Sequence, residues 1–582
     1  MAILVTAAMA LTSSPNDAHA VPPTTEAFAV TALAGGDEHT CALFANGVVK
    51  CWGNGTRLGL GDTYARGDEP GEMGRQLGRV DLGTGRTATA ITAGSDFTCA
   101  LLDDGTVKCW GGNDYGQLGQ GDDEPRGARR GQMGDALPPV DLGSGRTAVA
   151  VEAVTVGVCA LLDDSSVKCW GAAGGRGDRE PRGDEPGEMG DSLPPIDLGT
   201  GRTVRALSAG RGSVCALFDD GSIKCWGVNY YGQLGLGDEE ARGDEPGEMG
   251  DALPQVDLGA GRTAVEVFAG GYTTCALLDD ASLKCWGDNR VGQLGRSGAS
   301  AIGDDPGEMG DRLAAVALGA GRTARTVALG ESHTCAILDD GAAKCWGGND
   351  QGQLGQGDET NRRDVAALTP IQFGSGPVAA TVVAGADHNC VVFDGGAVKC
   401  WGDNTLGALG LGDERDRGDQ TGEMGDALPI VDLVAGQHVR RPDLALKRDG
   451  GPWVGDDRYE GQLRNQRVGV RRERLGSVTF YLRLQNDGDR RERFTVLQMG
   501  GSEWQIRRRY FQGRSHENVT VDVLTGRYVT PPLEPGASTT IRIEVHVRRR
   551  ARHDHLYGIP LRARVVGTDL PVDTVQAEIT VH

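Results

Sequence analysis

Cysteine supplies the first candidate chemistry. The 582-residue chain holds 14 Cys. They form seven pairs, each spaced i, i+10: Cys41 with Cys51, Cys99 with Cys109, Cys159 with Cys169, Cys215 with Cys225, Cys275 with Cys285, Cys335 with Cys345, and Cys390 with Cys400. Two thiols at one spacing could hold a metal or close a disulfide. Nine intervening residues, with no partner His and no second Cys-x-x-Cys, is poor zinc spacing. Seven disulfides are the better reading, and disulfides call for an oxidising compartment. None of the cysteines is left over, and none lies beyond Cys400.

Three other residue types recur in register with the cysteines. The position two before the first Cys of each pair is His39, Phe97, Gly157, Ser213, Thr273, His333 and His388. The three His are weak candidates for a shared metal site, because their repeats become neighbours if the chain closes into a ring. No metal or other cofactor is expected, since packing accounts better for His at this position. Seven Lys, at 50, 108, 168, 224, 284, 344 and 399, each precede the second Cys, and elsewhere before residue 440 the chain uses only Arg. Each Lys stem is expected to pack on a sheet while its ammonium meets an acid. Trp follows the second Cys in all seven pairs, as expected of packing between repeats.

An acidic octapeptide also recurs. Gly67-Asp68-Glu69-Pro70-Gly71-Glu72-Met73-Gly74 returns at 183–190 and 243–250, with near copies at 303–310 and 418–425, whereas 127–134 reads GARRGQMG. Asp68, Glu69, Glu72, Asp184, Glu185, Glu188, Asp244, Glu245 and Glu248 are therefore the candidate binding residues. They could offer a Ca²⁺ or cationic-partner surface. The alternative is a solvated loop with fixed turn chemistry, and the spacing is not that of an EF-hand.

The elements that carry these residues follow from the spacing. First-Cys steps of 58, 60, 56, 60, 60 and 55 residues mean seven repeats. Within a pair, Cys99-Ala-Leu-Leu and Thr106-Val-Lys-Cys flank Asp103-Asp104-Gly105, a three-residue hairpin loop with Gly left-handed. Pairing Leu102 with Thr106 sets Leu101 opposite Val107 and Cys99 opposite Cys109, within disulfide reach. Strand signals at Ala88–Ala93 and Leu137–Leu142 bring the repeat to four strands. Seven four-stranded repeats with no helical periodicity predict a seven-bladed β-propeller.

The repeat A-G-x-x-x-T-C-A-L-x-x-D-G-x-V-K-C-W-G-x-N-x-x-G-Q-L-G-x-G-D resembles the regulator of chromosome condensation repeat. The resemblance is carried by Cys109-Trp110-Gly111 with Tyr115–Gly119, and by the stretches at 231–235, 291–295 and 351–355. It spans about residues 27–438 and implies a seven-bladed propeller. Two repeats depart from it. The third has Ala172-Ala173-Gly174-Gly175 in place of Gly-Gln-Leu-Gly, and the first has Arg57-Leu58-Gly59. Ring closure is expected through pairing of 27–34 with 428–433 in one blade.

Outside the repeats, Ala2–Leu11 followed by Ala18-His19-Ala20 reads as a signal peptide over 1–20, although no Lys or Arg precedes Lys50. The propeller takes 21–438. Residues 439–582 read as a smaller β-sandwich whose Leu533-Glu534-Pro535-Gly536 turn resembles immunoglobulin-like accessory domains. Gly450–Arg474 reads as a long loop. The net charge of −22 is an average: residues 440–582 hold 25 Arg and one Lys against 18 acids, a balance of +8, so the preceding residues carry −30.

No run of 18 apolar residues appears, so a helical membrane span is not expected. An overall basic character suited to nucleic acid is missing too. No Ser–His–Asp signature, His-Glu-x-x-His or phosphate loop occurs, so no catalytic residue is assigned. The expectation is a monomeric, non-catalytic recognition scaffold, secreted, periplasmic or on the cell surface, that binds an extracellular protein or polysaccharide. Inhibition of a secreted enzyme and a glycan-binding or hydrolytic role are the alternatives. The resemblance also implies nucleotide exchange on a GTPase, which the disulfides and the export signal disfavour.

Overall fold

A computed structural model describes residues 29–298, 300–374, 378–433, 442–449, 467–472, 477–486, 494–498, 506–512, 517–525, 528–530, 533, 538–547, 556–565 and 573–581. The signal-peptide segment 1–20 lies outside these residues, as does most of 450–474. The chain divides into two compact units, Met1–Ala435 and Gly436–His582.

In the first unit each repeat is one antiparallel sheet. The second is representative, with an inner strand Ala88–Ala93, a middle strand Phe97–Leu102 and an outer strand Val107–Gly111. The register is Cys99↔Cys109 and Leu101↔Val107, as the turn chemistry predicts. Leu102 N–H donates to Thr106 O at 2.8 Å, and Gly105 has φ 77°. Ser165 and Ala281 occupy the same left-handed position in the third and fifth repeats.

All seven expected cysteine pairs meet inside their own hairpins. Cys41 faces Cys51 and Cys99 faces Cys109 in the first two blades. Cys159 faces Cys169, Cys215 faces Cys225, and Cys275 faces Cys285 in the next three. Cys335 faces Cys345 and Cys390 faces Cys400 in the last two. The paired Cα atoms stand 4.0–4.1 Å apart, with the sulfurs at bonding distance.

Middle strands are buried along their length because another blade covers each sheet face. The core is thus a set of slabs between blades. Cys41, Leu43 and Val49 of the first blade pack with Ala100, Leu102 and Trp110 of the second. Trp52 packs with Cys390, Val392 and Leu409 of the seventh, which closes the ring. Inner strands contact in sequence order, and Val30–Gly35 meets Ala379–Ala384.

Closure differs from the expected pairing. Val30–Gly35 is the inner strand of blade one, paired with His39–Phe44. Segment 428–433 is not a strand and stays on blade seven, where Val431 N–H donates to Val398 O. The same holds in other repeats: the expected fourth strand is an extended segment with one backbone bond to the outer strand, as in Val140 N–H to Val107 O at 2.8 Å. Its apolar residues Leu137, Val140 and Leu142 are buried, which explains the strand-like pattern without a ladder.

Backbone bonds near the axis and indole bonds farther out both join the blades. Around the axis, backbone bonds run from Asp37 N–H to Ser95 O, Ser95 to Thr155, Arg211 to Gly271, Glu331 to Ala386 and Ala386 to Gly36. Glycine permits this approach: a Cβ on Gly36 would stand 2.7 Å from Gly94 O and collide with the His39 ring. Farther out, the Gln carbonyl of each Gly-Gln-Leu-Gly loop accepts the next blade's indole N–H. Trp170 donates to Gln117 O, Trp286 to Gln233 O, Trp346 to Gln293 O and Trp401 to Gln353 O, at 2.9–3.0 Å. At closure, Trp52 donates to Ala408 O at 2.9 Å. Trp110 and Trp226 have no acceptor, and they follow the first and third repeats, which lack the loop, whereas the seventh keeps it as Gly407-Ala408-Leu409-Gly410.

The second unit holds two five-stranded sheets. One orders Pro442–Arg448, Ser477–Asn486, Ser538–Val547, Ile506–Gln512 and Glu517–Asn518. The other orders Arg467–Arg472, Asp573–Val581, Leu556–Val565, Phe494–Gln498 and Tyr528–Val529. Strand 467–472 shortens the expected loop and is the parallel member, paired with 573–581. Alternating Phe480, Leu482, Leu484, Ile541, Ile543 and Val545 are buried.

The indole bonds make a comparison possible. Trp286→Phe loses a buried hydrogen bond and leaves Gln233 O with one donor fewer, whereas Trp226→Phe removes a donor that has no acceptor. Chemical denaturation should show Trp286→Phe to be more destabilising by about 1 kcal/mol. Equal losses would mean that only ring volume matters.

Candidate functional site

The three His weighed as metal ligands are built into the blade junctions. His39 Nε2 lies 2.9 Å from Thr98 Oγ1, His388 Nε2 2.9 Å from Thr40 Oγ1, and His333 Nε2 2.9 Å from Asn389 Oδ1. Each bond crosses to the next blade. Asn389 Nδ2 donates to Gln353 O, so its Oδ1 is the acceptor and His333 carries its proton on Nε2. Thr40 Oγ1 donates to Ala408 O, so His388 likewise donates to Thr40. The three Nδ1 atoms are buried without a partner. Among the described residues no group of three or more His, Cys, Asp or Glu is gathered to hold a metal ion.

Burial sets the protonation of these rings. It holds His39 down to about 3, helped by Arg57 and His388. Burial likewise holds His388 at about 4, with His333 adding to it. His333 is also held at about 4 by burial, opposed by its bond to Asn389.

The lysines do not form an exposed cationic ring. Each ammonium donates to main-chain carbonyls rather than to the expected acid. Lys108 Nζ donates to Leu82 O at 3.1 Å and Gly134 O at 2.8 Å, and Lys168, Lys224, Lys284 and Lys399 repeat the pattern. Lys50 donates to Gly74 O at 2.7 Å, and burial lowers its pKa to about 8.

These carbonyls explain the acidic octapeptide. Its last Gly bonds the preceding repeat's extended segment: Gly134 N–H to Asp81 O, Gly190 to Asp141, Gly250 to Asp197, Gly310 to Asp257 and, across the closure, Gly74 to Asp432. The octapeptide Glu caps its own loop. Glu72 accepts from Gly67 and Glu69 N–H, Glu188 from Gly183 and Glu185, and Glu248 from Gly243, Asp244 and Glu245, all at 2.8–3.2 Å. Gln132 accepts from Gly127 and Arg129 in the same way. A neutral amide serves as well as a carboxylate, so the position needs an acceptor rather than a charge. Burial, reinforced by Asp68, pushes the Glu72 carboxyl up, and burial beside Glu188 does the same to Asp184. Glu69, Glu185 and Glu245 stay exposed.

Two cavities among the described residues bear on function. One of about 300 Å³ lies on the axis, lined by inner-strand ends including Leu33, Ile91 and Glu152. Burial pushes Glu152 up to about 7. The other, about 350 Å³, lies between blades three and four, where the third repeat lacks its Gly-Gln-Leu-Gly loop; Ala172, Ala173, Val228 and Tyr230 line it. The departure at 172–175 is visible in the sequence, but its consequence depends on what the next blade presents there.

The His and Glu152 groups have opposite pH effects. The buried rings are neutral when folded and take protons on unfolding. Their stabilisation is complete above about pH 6.5 and is lost as pH falls toward 4, at up to about 1.4 kcal/mol per pH unit per ring. Replacing all three by Thr, the residue at 273, should flatten this slope in thermal melts. Glu152 stays neutral in the fold while it ionises in the unfolded chain, so stability is lost as pH rises from about 4.5 to 7, and Glu152→Gln should raise the melting temperature at pH 8 and leave it nearly unchanged at pH 4.

Segments 30–57, 88–117, 204–233, 264–293, 324–353 and 379–408 match the regulator of chromosome condensation (RCC1) repeat, as do 220–277 and 340–392. None of these falls on the third repeat. The chain is 28% identical to the Ultraviolet-B receptor UVR8 of Arabidopsis thaliana over 443 residues, covering 74% of this chain and 89% of that one. It is 27% identical to Protein pim1 of Schizosaccharomyces pombe, over 62% of this chain and 66% of that one. Among solved structures, human WBSCR16 aligns with a TM-score of 0.49 at 18% identity, over 63% of this chain and 88% of that one. Yeast RCC1 (Prp20) bound to Kap60 aligns with 0.48 at 19%, over 71% and 90%. RCC1 repeats are thus found at six places in the propeller unit, and the relatives that match it are RCC1-repeat proteins.

Proposed function

We propose that this protein is a non-catalytic recognition scaffold that binds another protein through the blade loops of a rigid ring. One observation carries the reading. The His, Lys and Trp that could do chemistry are engaged in packing within and between blades, and the capping Glu holds its own loop, which leaves the exposed loops as the variable surface. A rigid ring presenting many loops suits recognition. The cysteine pairs act as disulfides in an oxidising compartment, so the protein works outside the cytoplasm, as a monomer. Residues 1–20 direct export, 21–438 form the propeller and 439–582 an immunoglobulin-like accessory sandwich.

Cross-linking capture from the native secretome, using the full chain, tests this. One stoichiometric protein partner is expected. Retention of polysaccharide alone, or turnover on a hydrolase panel, would overturn the reading. Non-reducing peptide mapping should find Cys41 linked to Cys51, and a bridge from Cys41 to Cys99 would refute the hairpin disulfides.

A further inference from the structure

The junction between blades three and four is built differently from its neighbours. Trp170 to Gly177 spans seven residues, against eleven from Trp110 to Gly121. In repeat two the extra residues form a tight loop. Asn113 Oδ1 accepts Leu118 N–H, the Gln117 side chain accepts Tyr115 N–H, and Gln117 O receives the next indole. In repeat three that loop is missing, Trp226 has no acceptor, and the notch of about 350 Å³ takes its place. This volume falls within the range of pockets that seat an organic group. Ala172, Ala173 and Val228 give it an apolar wall, and Arg176, Asp178, Arg179, Glu180, Arg242 and Asp244 also line it.

Beside the notch stands a private aromatic and arginine array. Tyr230 is 62% exposed. Its ring meets Tyr272 edge-on at 6.5 Å, and Tyr231 meets Tyr272 at 5.2 Å. Arg290 lies 4.4 Å over Tyr231 and is fixed by Asp288, with Nη2 to Oδ2 at 2.9 Å. Arg211 lies 5.6 Å over Tyr272 and pairs with Glu331. On the notch rim Arg179 pairs with Asp244 at 2.6 Å. These rings and guanidinium groups are held in place before any partner arrives, and Tyr and Arg are the residues enriched at binding hot spots.

Charge narrows the partner. Arg176, Arg179 and Arg242 in the notch lining are balanced by Asp178, Glu180 and Asp244, so an anchor entering here meets no net charge. The surrounding ring is strongly acidic, with exposed Glu245 next to the rim. Such a field draws basic segments and repels acidic ones. We infer that the notch between blades three and four, with the Tyr230–Tyr231–Tyr272 array, docks a protein segment that inserts one bulky uncharged side chain flanked by Lys or Arg. This rests on the recognition reading above and locates it.

Selection of random twelve-residue displayed peptides on the full chain tests the inference. Recovered sequences should share a bulky uncharged residue with basic neighbours. Their binding should weaken at least tenfold with Tyr230→Ala, which removes an exposed ring, and with Ala172→Trp, which fills the notch. Tyr115→Ala, an exposed Tyr in the second repeat, should leave it unchanged. Peptides without such an anchor, or equal binding to both variants, would overturn the assignment. So would retention of a neutral glycan that depends on Tyr230. If the secretome partner is captured equally by wild type and both variants, recognition stands and the notch is not its seat.

Discussion

The ring depends on one kind of contact: a loop carbonyl of one blade accepting the buried indole N–H of the next. A buried donor left unmade costs more than a made bond gains, so the Trp that fills the slab also dictates where the preceding loop must place its oxygen. The loop meets that demand through internal bonds, with Asn113 and Gln117 holding its own N–H groups. Thr274 and Thr334 donate to the same Gln carbonyls, so one oxygen serves two donors. The recurrent loop sequence is therefore an acceptor held at a fixed point.

Much of the local structure was legible from residue types. Asp103-Asp104-Gly105 set the hairpin, and the hairpin set Cys99 against Cys109, because turn geometry and strand period act over a few residues. What crosses blades was not. The Lys side chains were expected to meet acids, yet most reach one carbonyl of their own repeat and one of the repeat before it. Buried Leu137, Val140 and Leu142 looked like a fourth strand because a packed extended segment and a strand share the same alternation. The octapeptide invited a binding role through its charge. The capping position itself does not need that charge, since Gln132 is an uncharged acceptor there. The departure of the third repeat was plain in the sequence, whereas the tyrosines beside the gap come from later repeats.

Functional specificity in such a ring arises where a repeat departs from its siblings. Repeated copies of a few contacts make the scaffold, the indole bond among them at five of the seven junctions, and they absorb the residues that look chemically capable. A deletion in one copy frees space without weakening the hairpins, since each is stapled internally. Exposed loops can then vary while the slabs between blades stay fixed.

That stapling has a mechanical side. No bridge spans two blades, so the ring is covalently an open string of seven knots. Tension on its ends would meet only the contacts between blades and peel them apart singly. Each freed blade would yield less length than its residue count suggests, because every bridge withholds its ten-residue hairpin, about 35 Å of contour. A propeller stretched at a surface would thus pay out chain in short, bounded steps and keep its hairpins folded.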